Sequence, residues 1–276
     1  METGTMNMVS WRLAPIPVSP ETGPSRFDAA RHQEEVNLKA VVAAAPQRRL
    51  LTRLILLLTL AAGWTDALSY VHLDKVFASF MTGNILFLGL SVAQGNGALF
   101  VRAALAVPIF LGGITLGSLY LGRRSERQPP EGARGMLARL LLIEGLVLLG
   151  FALLWQFTGD PASHPVTQVI LLGIAAFGMG LQGALVASFN LPNIVSVALT
   201  AVVVLLGQRL AHRLGRQTTD QPGRTSSPFL LVLLLSYTVA ALVAALWIST
   251  PFIPCIIVAV ALLVVLTTPE RAAAPS

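Results

Sequence analysis

The sequence predicts an all-α, polytopic transmembrane helix bundle of about six full spans, drawn from eight apolar segments of which two break or re-enter. Three observations carry this. Only 12% of the 276 residues are charged, half the value of about 25% usual in soluble domains. Hydrophobic residues make up 54% and mean hydropathy is +0.72. From residue 50 onward, apolar runs near the ~20-residue length that crosses a bilayer follow one another with arginine-bearing connections between them.

The net charge of +6 comes almost wholly from arginine, since Lys39 and Lys75 are the only lysines. In a soluble protein a pI near 10.4 would suggest nucleic acid. Here the arginines sit in loops and segment ends, where cytoplasmic loops beside anionic lipid account for them. No nucleic-acid partner is expected. The single cysteine, Cys255, excludes an intrachain disulfide and a thiolate zinc site and reads as a small buried hydrophobe.

Residues 1–46 are rich in Pro, Ser, Thr and Ala, with Pro15, Pro17, Pro20 and Pro24 close together. They read as a disordered N-terminal cytoplasmic tail, with a short surface helix over Ala29–Ala45. No uninterrupted apolar stretch follows the start, so no signal peptide is expected and the first membrane helix acts as the insertion signal. A transmembrane helical domain over 47–268 and a short tail over 269–276 complete the organisation.

The eight apolar segments are 50–71, 76–93, 98–121, 136–157, 166–187, 193–210, 229–248 and 251–267. Arg48, Arg49 and Arg53 mark the start of the first. Arg123, Arg124, Arg127 and Arg134 follow the third, and Arg209, Arg213, Arg216 and Arg224 follow the sixth. The positive-inside rule puts all three clusters in the cytoplasm, yet three segments separate each cluster from the next. Either one cluster lies outside and eight segments cross, or one segment in each triplet fails to cross. The shortest members, 76–93 and 193–210, begin in polar sequence and are the segments expected not to cross. Six spans and cytoplasmic termini follow.

Ala62–Leu90 and Phe177–Gly207 echo each other. Each has a glycine-rich helix end beside a polar residue (Asp66, Gln182), a polar break, a threonine (Thr82, Thr200) and an aliphatic run. Duplicated transporter folds show weak symmetry of this kind. The copies are inverted in the six-span arrangement and parallel in the eight-span one. Chance matching of common membrane residues is the other explanation.

Gly63-x-x-Asp66-Ala67, Phe77, Met81-Thr82-Gly83-Asn84 and the Gly-x-Gln-x-Ala element at Gly180–Ala184 resemble the YoaK family of bacterial membrane proteins over residues 50–267. The chain departs from the family pattern at Gly183, where an Asn is usual, and at Thr200-Ala201, where Thr-Gly is usual. The resemblance implies an inner-membrane protein of about six helices whose biochemical function is not established.

Well inside the apolar segments, only Asp66, Arg102 and Glu144 carry formal charge. Such groups normally face the bundle interior or a partner. Asp66 reads either as a proton- or cation-binding carboxylate or as a structural residue paired with Arg102 or bonded to backbone at a helix break. Glu144 reads as a second such carboxylate or as the ion-pair partner of Arg102 or Arg139. Thr82, Gly83 and Asn84 suggest unwound backbone, their side chains replacing helical hydrogen bonds or meeting a ligand; Gln182 has the same two readings. The candidate substrate- or ion-binding set is therefore Asp66, Thr82, Gly83, Asn84, Gln182 and Glu144. Gly113 and Gly117 give a spacing that permits close helix contact, within the bundle or between protomers of a homo-oligomer.

His72, His164 and His212 have no second ligand at helical spacing, so neither a metal nor a cofactor is expected. No catalytic constellation appears, and the chain does not read as an enzyme. The function expected is a small-solute transporter or permease with a buried carboxylate. Its partners are the lipid bilayer and an unidentified small solute or ion. The alternative is a non-catalytic membrane scaffold or sensor that docks a partner or anionic lipid.

Overall fold

The computed structural model describes residues 26–125, 133–159, 161, 164–189, 202–204, 206–207, 227–246 and 250–268. The chain divides into two units, Met1–Pro46 and Gln47–Ser276. In the first, residues 26–46 are helical and cover the predicted Ala29–Ala45 helix. All that follows concerns the second.

Among the described residues the elements are α1 (Arg26–His72), α2 (Met81–Ala93), α3 (Gly97–Ser125), α4 (Ala133–Thr158), α5 (Pro165–Ser188), α6 (Ser227–Leu246) and α7 (Ile253–Thr267). They match the predicted segments closely, with two exceptions. The segment expected over 76–93 becomes helical only at Met81, and most of 193–210 lies outside the described residues. The polarity is that of a membrane protein. Ile85, Leu86, Leu111, Leu116, Leu146, Leu235 and Leu242 face outward, whereas Asp66, Asn84, Arg102, Glu144 and Gln182 are buried.

Side-chain contacts fix the direction of each helix. Arg102, near the start of α3, bonds Asp74 just beyond the end of α1 and Gln168 near the start of α5. Deeper in the bundle, Gln182 of α5 bonds Leu58 of α1. α1 and α5 are therefore antiparallel, and α3 runs with α5. The edge contact of His72 with Trp155 brings the end of α4 to the end of α1. Arg134, at the start of α4, bonds the carbonyls of Val265 and Thr268 at the end of α7. α6 runs with α1, since Tyr237 meets Asp66 and Ala244 packs with Trp64 and Leu68.

These directions resolve the arginine parity. Five helices are long and apolar enough to cross: Arg49–His72, Gly97–Gly122, Arg134–Thr158, Pro165–Ser188 and Pro228–Leu246. α7 is shorter, but Ile253 packs near the end of α1 and Thr268 meets the start of α4, so it too runs between the two sides. α2, at 13 residues, covers about 20 Å, short of the ~30 Å hydrocarbon core. Its preceding loop and the following helix are both tied to the end of α1. α2 therefore enters and leaves on one side. α5 ends and α6 begins on the side where the apolar part of α1 begins. The first two arginine clusters flank helix ends on that same side, and the third belongs to the connection from α5 to α6. Among the described residues, five helices are long and apolar enough to cross, and the shorter α7 runs between the same two sides.

Two tight parallel pairs organise the bundle. A Cβ on Gly63 of α1 would lie 2.5 Å from the Tyr237 carbonyl oxygen of α6. One on Gly180 of α5 would collide with the Phe110 carbonyl oxygen of α3. The two glycines open similar hexapeptides, Gly63-Trp-Thr-Asp-Ala-Leu68 and Gly180-Leu-Gln-Gly-Ala-Leu185. The agreement continues along the partner helices. Leu230, Leu233, Ala240 and Ala244 are buried on α6, as Ala103, Ala106, Gly113 and Gly117 are on α3. Ala244 packs with Trp64, and Ala67 packs against that cluster; a Cβ on Gly117 would meet Ala184 and Leu181. Since α1 and α6 run one way and α3 and α5 the other, the halves correspond in the inverted sense. The register corrects one expectation: Asp66 matches Gly183 rather than Gln182, because backbone contact at the glycines sets the alignment. Gly113 and Gly117 serve packing within the bundle.

Candidate functional site

The end of α1 is a helix stop made without glycine. The Lys75 N–H donates to the Tyr70 carbonyl at 3.0 Å, and Asp74 and Lys75 take positive φ of 62° and 65°. This is the six-to-one closure usually given to glycine at its left-handed position. Arg102 holds Asp74 there and is fixed in turn by Gln168, to which its second guanidinium nitrogen donates at 2.9 Å. Arg102 thus serves this turn and not Asp66 or Glu144.

Beyond the turn, residues 76–80 fold back alongside α1 without helical hydrogen bonds from their N–H groups, and unwound backbone at membrane depth needs other partners. Two signature side chains supply them. Asp66, 2% exposed, accepts from the Ser79 N–H at 2.6 Å, the Ser79 hydroxyl at 2.5 Å and the Tyr237 hydroxyl at 2.7 Å. Asn84 closes a two-bond ring with Phe77, accepting from its N–H at 2.9 Å and donating to its carbonyl at 2.7 Å. Gly83 lies under the rings of Phe77 and Phe80, where a Cβ would stand 2.6 Å from Phe80 and 2.9 Å from Phe77. Phe77 also stacks between Tyr70 and Phe87, at 5.1 and 5.9 Å. Of the six candidate residues read from the sequence, Thr82 alone is exposed.

The remaining candidates lie deeper. Gln182, 1% exposed, donates to the Leu58 carbonyl at 2.9 Å, and its Oε1 has no partner. Glu144 is fully buried and neither oxygen has a hydrogen-bond partner. The ion pair anticipated with Arg102 or Arg139 is not formed: Arg102 is engaged elsewhere and Arg139 is exposed. His72 closes α1 against Trp155, His164 precedes α5, and His212 lies outside the described residues. Among the described residues no group of three His, Cys, Asp or Glu side chains gathers to hold a metal.

Residues 54–268 match the family described as "Protein of unknown function (DUF1275)". The chain belongs to the DUF1275 family. It is also similar to the UPF0700 transmembrane protein YoaK of Bacillus subtilis (strain 168). The two are 26% identical over 193 residues, which cover 70% of this chain and 82% of the relative. No solved structure matches. The resemblance carried by Gly63–Asn84 and Gly180–Ala184 is thus correct at the level of family and membrane location.

In this DUF1275 chain the signature residues converge on one re-entrant passage. Asp66 and Asn84 satisfy its backbone and Gly83 admits its aromatic rings. Two members are not singled out by the sequence, Ser79 and Tyr237. Ser79 sits unremarked inside the signature. Tyr237 carries a usable signal, because a phenol inside a Leu/Val run needs a partner for its hydroxyl. Asn84→Leu, which keeps the size but orphans both polar groups of Phe77, is expected to cost about 2–4 kcal/mol. A denaturation titration in mixed micelles measures it. A loss below about 0.5 kcal/mol, the lower end for a net hydrogen bond, would show that the Phe77 bonds are dispensable.

Proposed function

We propose that the protein is a small-solute transporter or permease of the inner membrane whose two inverted halves alternate access to a site between them. The observation that carries this reading is the matched pairing of α1 with α6 and of α3 with α5, running in opposite senses through corresponding glycines. Carriers built from inverted repeats place their substrate near the midplane between the repeats and rock one against the other. Backbone contact at Gly63 and Gly180 makes each pair a stiff unit. α1 and α5 cross with a side-chain bond from Gln182 to Leu58. The arginine clusters belong to connections on one side, which the positive-inside rule makes the cytoplasm, together with both ends of the bundle.

Proteoliposomes carrying the full chain test the reading against a panel of amino acids, sugars, organic acids and inorganic ions. Saturable uptake of at least one solute, absent from protein-free vesicles, is expected. A folded preparation that moves none of them above the protein-free level speaks against transport.

A further inference from the structure

Asp66 and Glu144 are both enclosed carboxylates, but their surroundings are opposite. Asp66 is met by three donors, which makes it an anchor. Glu144 is met by none. α4 and α5 are antiparallel, and a Cβ on Gly178 would touch Leu148 and Val147. One turn onward along α5 is Gln182, and one turn back along α4 is Glu144, so the two lie at the same level of one interface. Among the described residues three oxygens at that level have no hydrogen-bond partner: both of Glu144 and Oε1 of Gln182. Acceptors without donors, closed off from water, require a species that brings a proton or a positive charge.

We infer that Glu144 and the Gln182 carbonyl form a buried, acceptor-only site for a small cation, either a proton or a monovalent metal ion. The facing helices supply no competing charge. Leu54–Leu68 of α1, Phe110–Gly117 of α3, Leu171–Ser188 of α5 and all of α7 contain only Asp66 and Cys255 as titratable side chains, and α6 adds Tyr237. Asp66 and Tyr237 are bonded to each other, and the Cys255 thiol turns to the Gly145 carbonyl at 3.6 Å. The amide nitrogen of Gln182 is held by the Leu58 carbonyl, which leaves Oε1 as the free acceptor. The site lies apart from the anchoring cluster of Asp66 and does not depend on which solute the bundle carries.

Infrared difference spectra of the full chain in lipid nanodiscs, wild type minus Glu144→Gln, read the site without any flux assay. In choline chloride at neutral pH the wild type is expected to show the C=O stretch of a protonated carboxylic acid that Glu144→Gln lacks. Gln182→Met, which removes the acceptor and leaves Glu144, is expected to shift that band to higher frequency. Sodium or potassium chloride distinguishes the two cations: loss of the acid band with gain of a carboxylate band marks a metal ion, and an unchanged band marks a proton. If the carboxyl-labelled wild type shows neither an acid band from Glu144 nor any cation-dependent carboxylate change, the site does not exist. Labelling glutamate carboxyls with carbon-13 keeps this outcome readable even if Glu144→Gln fails to fold.

Discussion

Gly180→Ala is expected to destabilise the bundle more than any other single added methyl group, with Gly113→Ala and Gly63→Ala close behind. At all three positions the new Cβ would collide with a main-chain carbonyl of the partner helix, which cannot rotate away as a side chain can. The loss should reach or exceed the upper end of the roughly 1–3 kcal/mol that overpacking costs. Gly112→Ala is the control, since nothing lies within 4 Å of its Cβ. It should be neutral or gain up to ~1 kcal/mol from helix propensity. Reversible unfolding in mixed detergent micelles gives the ordering. If Gly180→Ala proves as mild as Gly112→Ala, α3 and α5 do not touch through their backbones.

Asp66→Ala should lose about 3–5 kcal/mol, because the Ser79 N–H, the Ser79 hydroxyl and the Tyr237 hydroxyl are all left without an acceptor in a buried place. Tyr237→Phe removes one donor and keeps the ring, so about 1–2 kcal/mol is expected, the high end for a membrane hydrogen bond. Made together, the changes should cost clearly less than the sum of the two, since Tyr237→Phe leaves no hydroxyl in need of an acceptor at position 66. Strict additivity in that double-mutant cycle would mean that Tyr237 does not reach Asp66. The opposite half offers the comparison: Phe110 stands 3.7 Å from where a Gly183 Cβ would be, the same corner built without polar groups.

The helices are legible in the sequence because hydrophobic run length alone sets them. So is the failure of 76–93 to cross, because arginine placement constrains parity. The start of α2 is not, and lies five residues later than the apolar run suggests. Val76–Phe80 is as apolar as a helix, and only the bonds from Asp66 and Asn84 show that its backbone is satisfied another way. Those bonds join residues 13 and 7 positions apart, a separation that no helical periodicity displays. The register of the duplication is hidden for a related reason. Polar residues stand out in an apolar run, which sets Gln182 against Asp66, whereas the glycines that touch a partner backbone are what the two halves share. Glu144 stands out by its charge, but the sequence offers it ready arginine partners, and only packing shows that they point elsewhere.

Asp66 and Tyr237 are 171 residues apart, and that separation has a consequence for how the protein is made. At about 5–20 residues per second, Tyr237 leaves the ribosome on the order of ten to thirty seconds after Asp66. Throughout that interval α1 is already in the bilayer with its carboxylate lacking the Tyr237 hydroxyl. Gly63 likewise waits for the helix it is shaped to touch. The nascent first half is therefore an unfinished object that must be shielded, by the insertion machinery or by lipid headgroups, until α6 arrives. A polypeptide stopped before Ser227 would expose the same unfilled groove and be a natural substrate for membrane quality control.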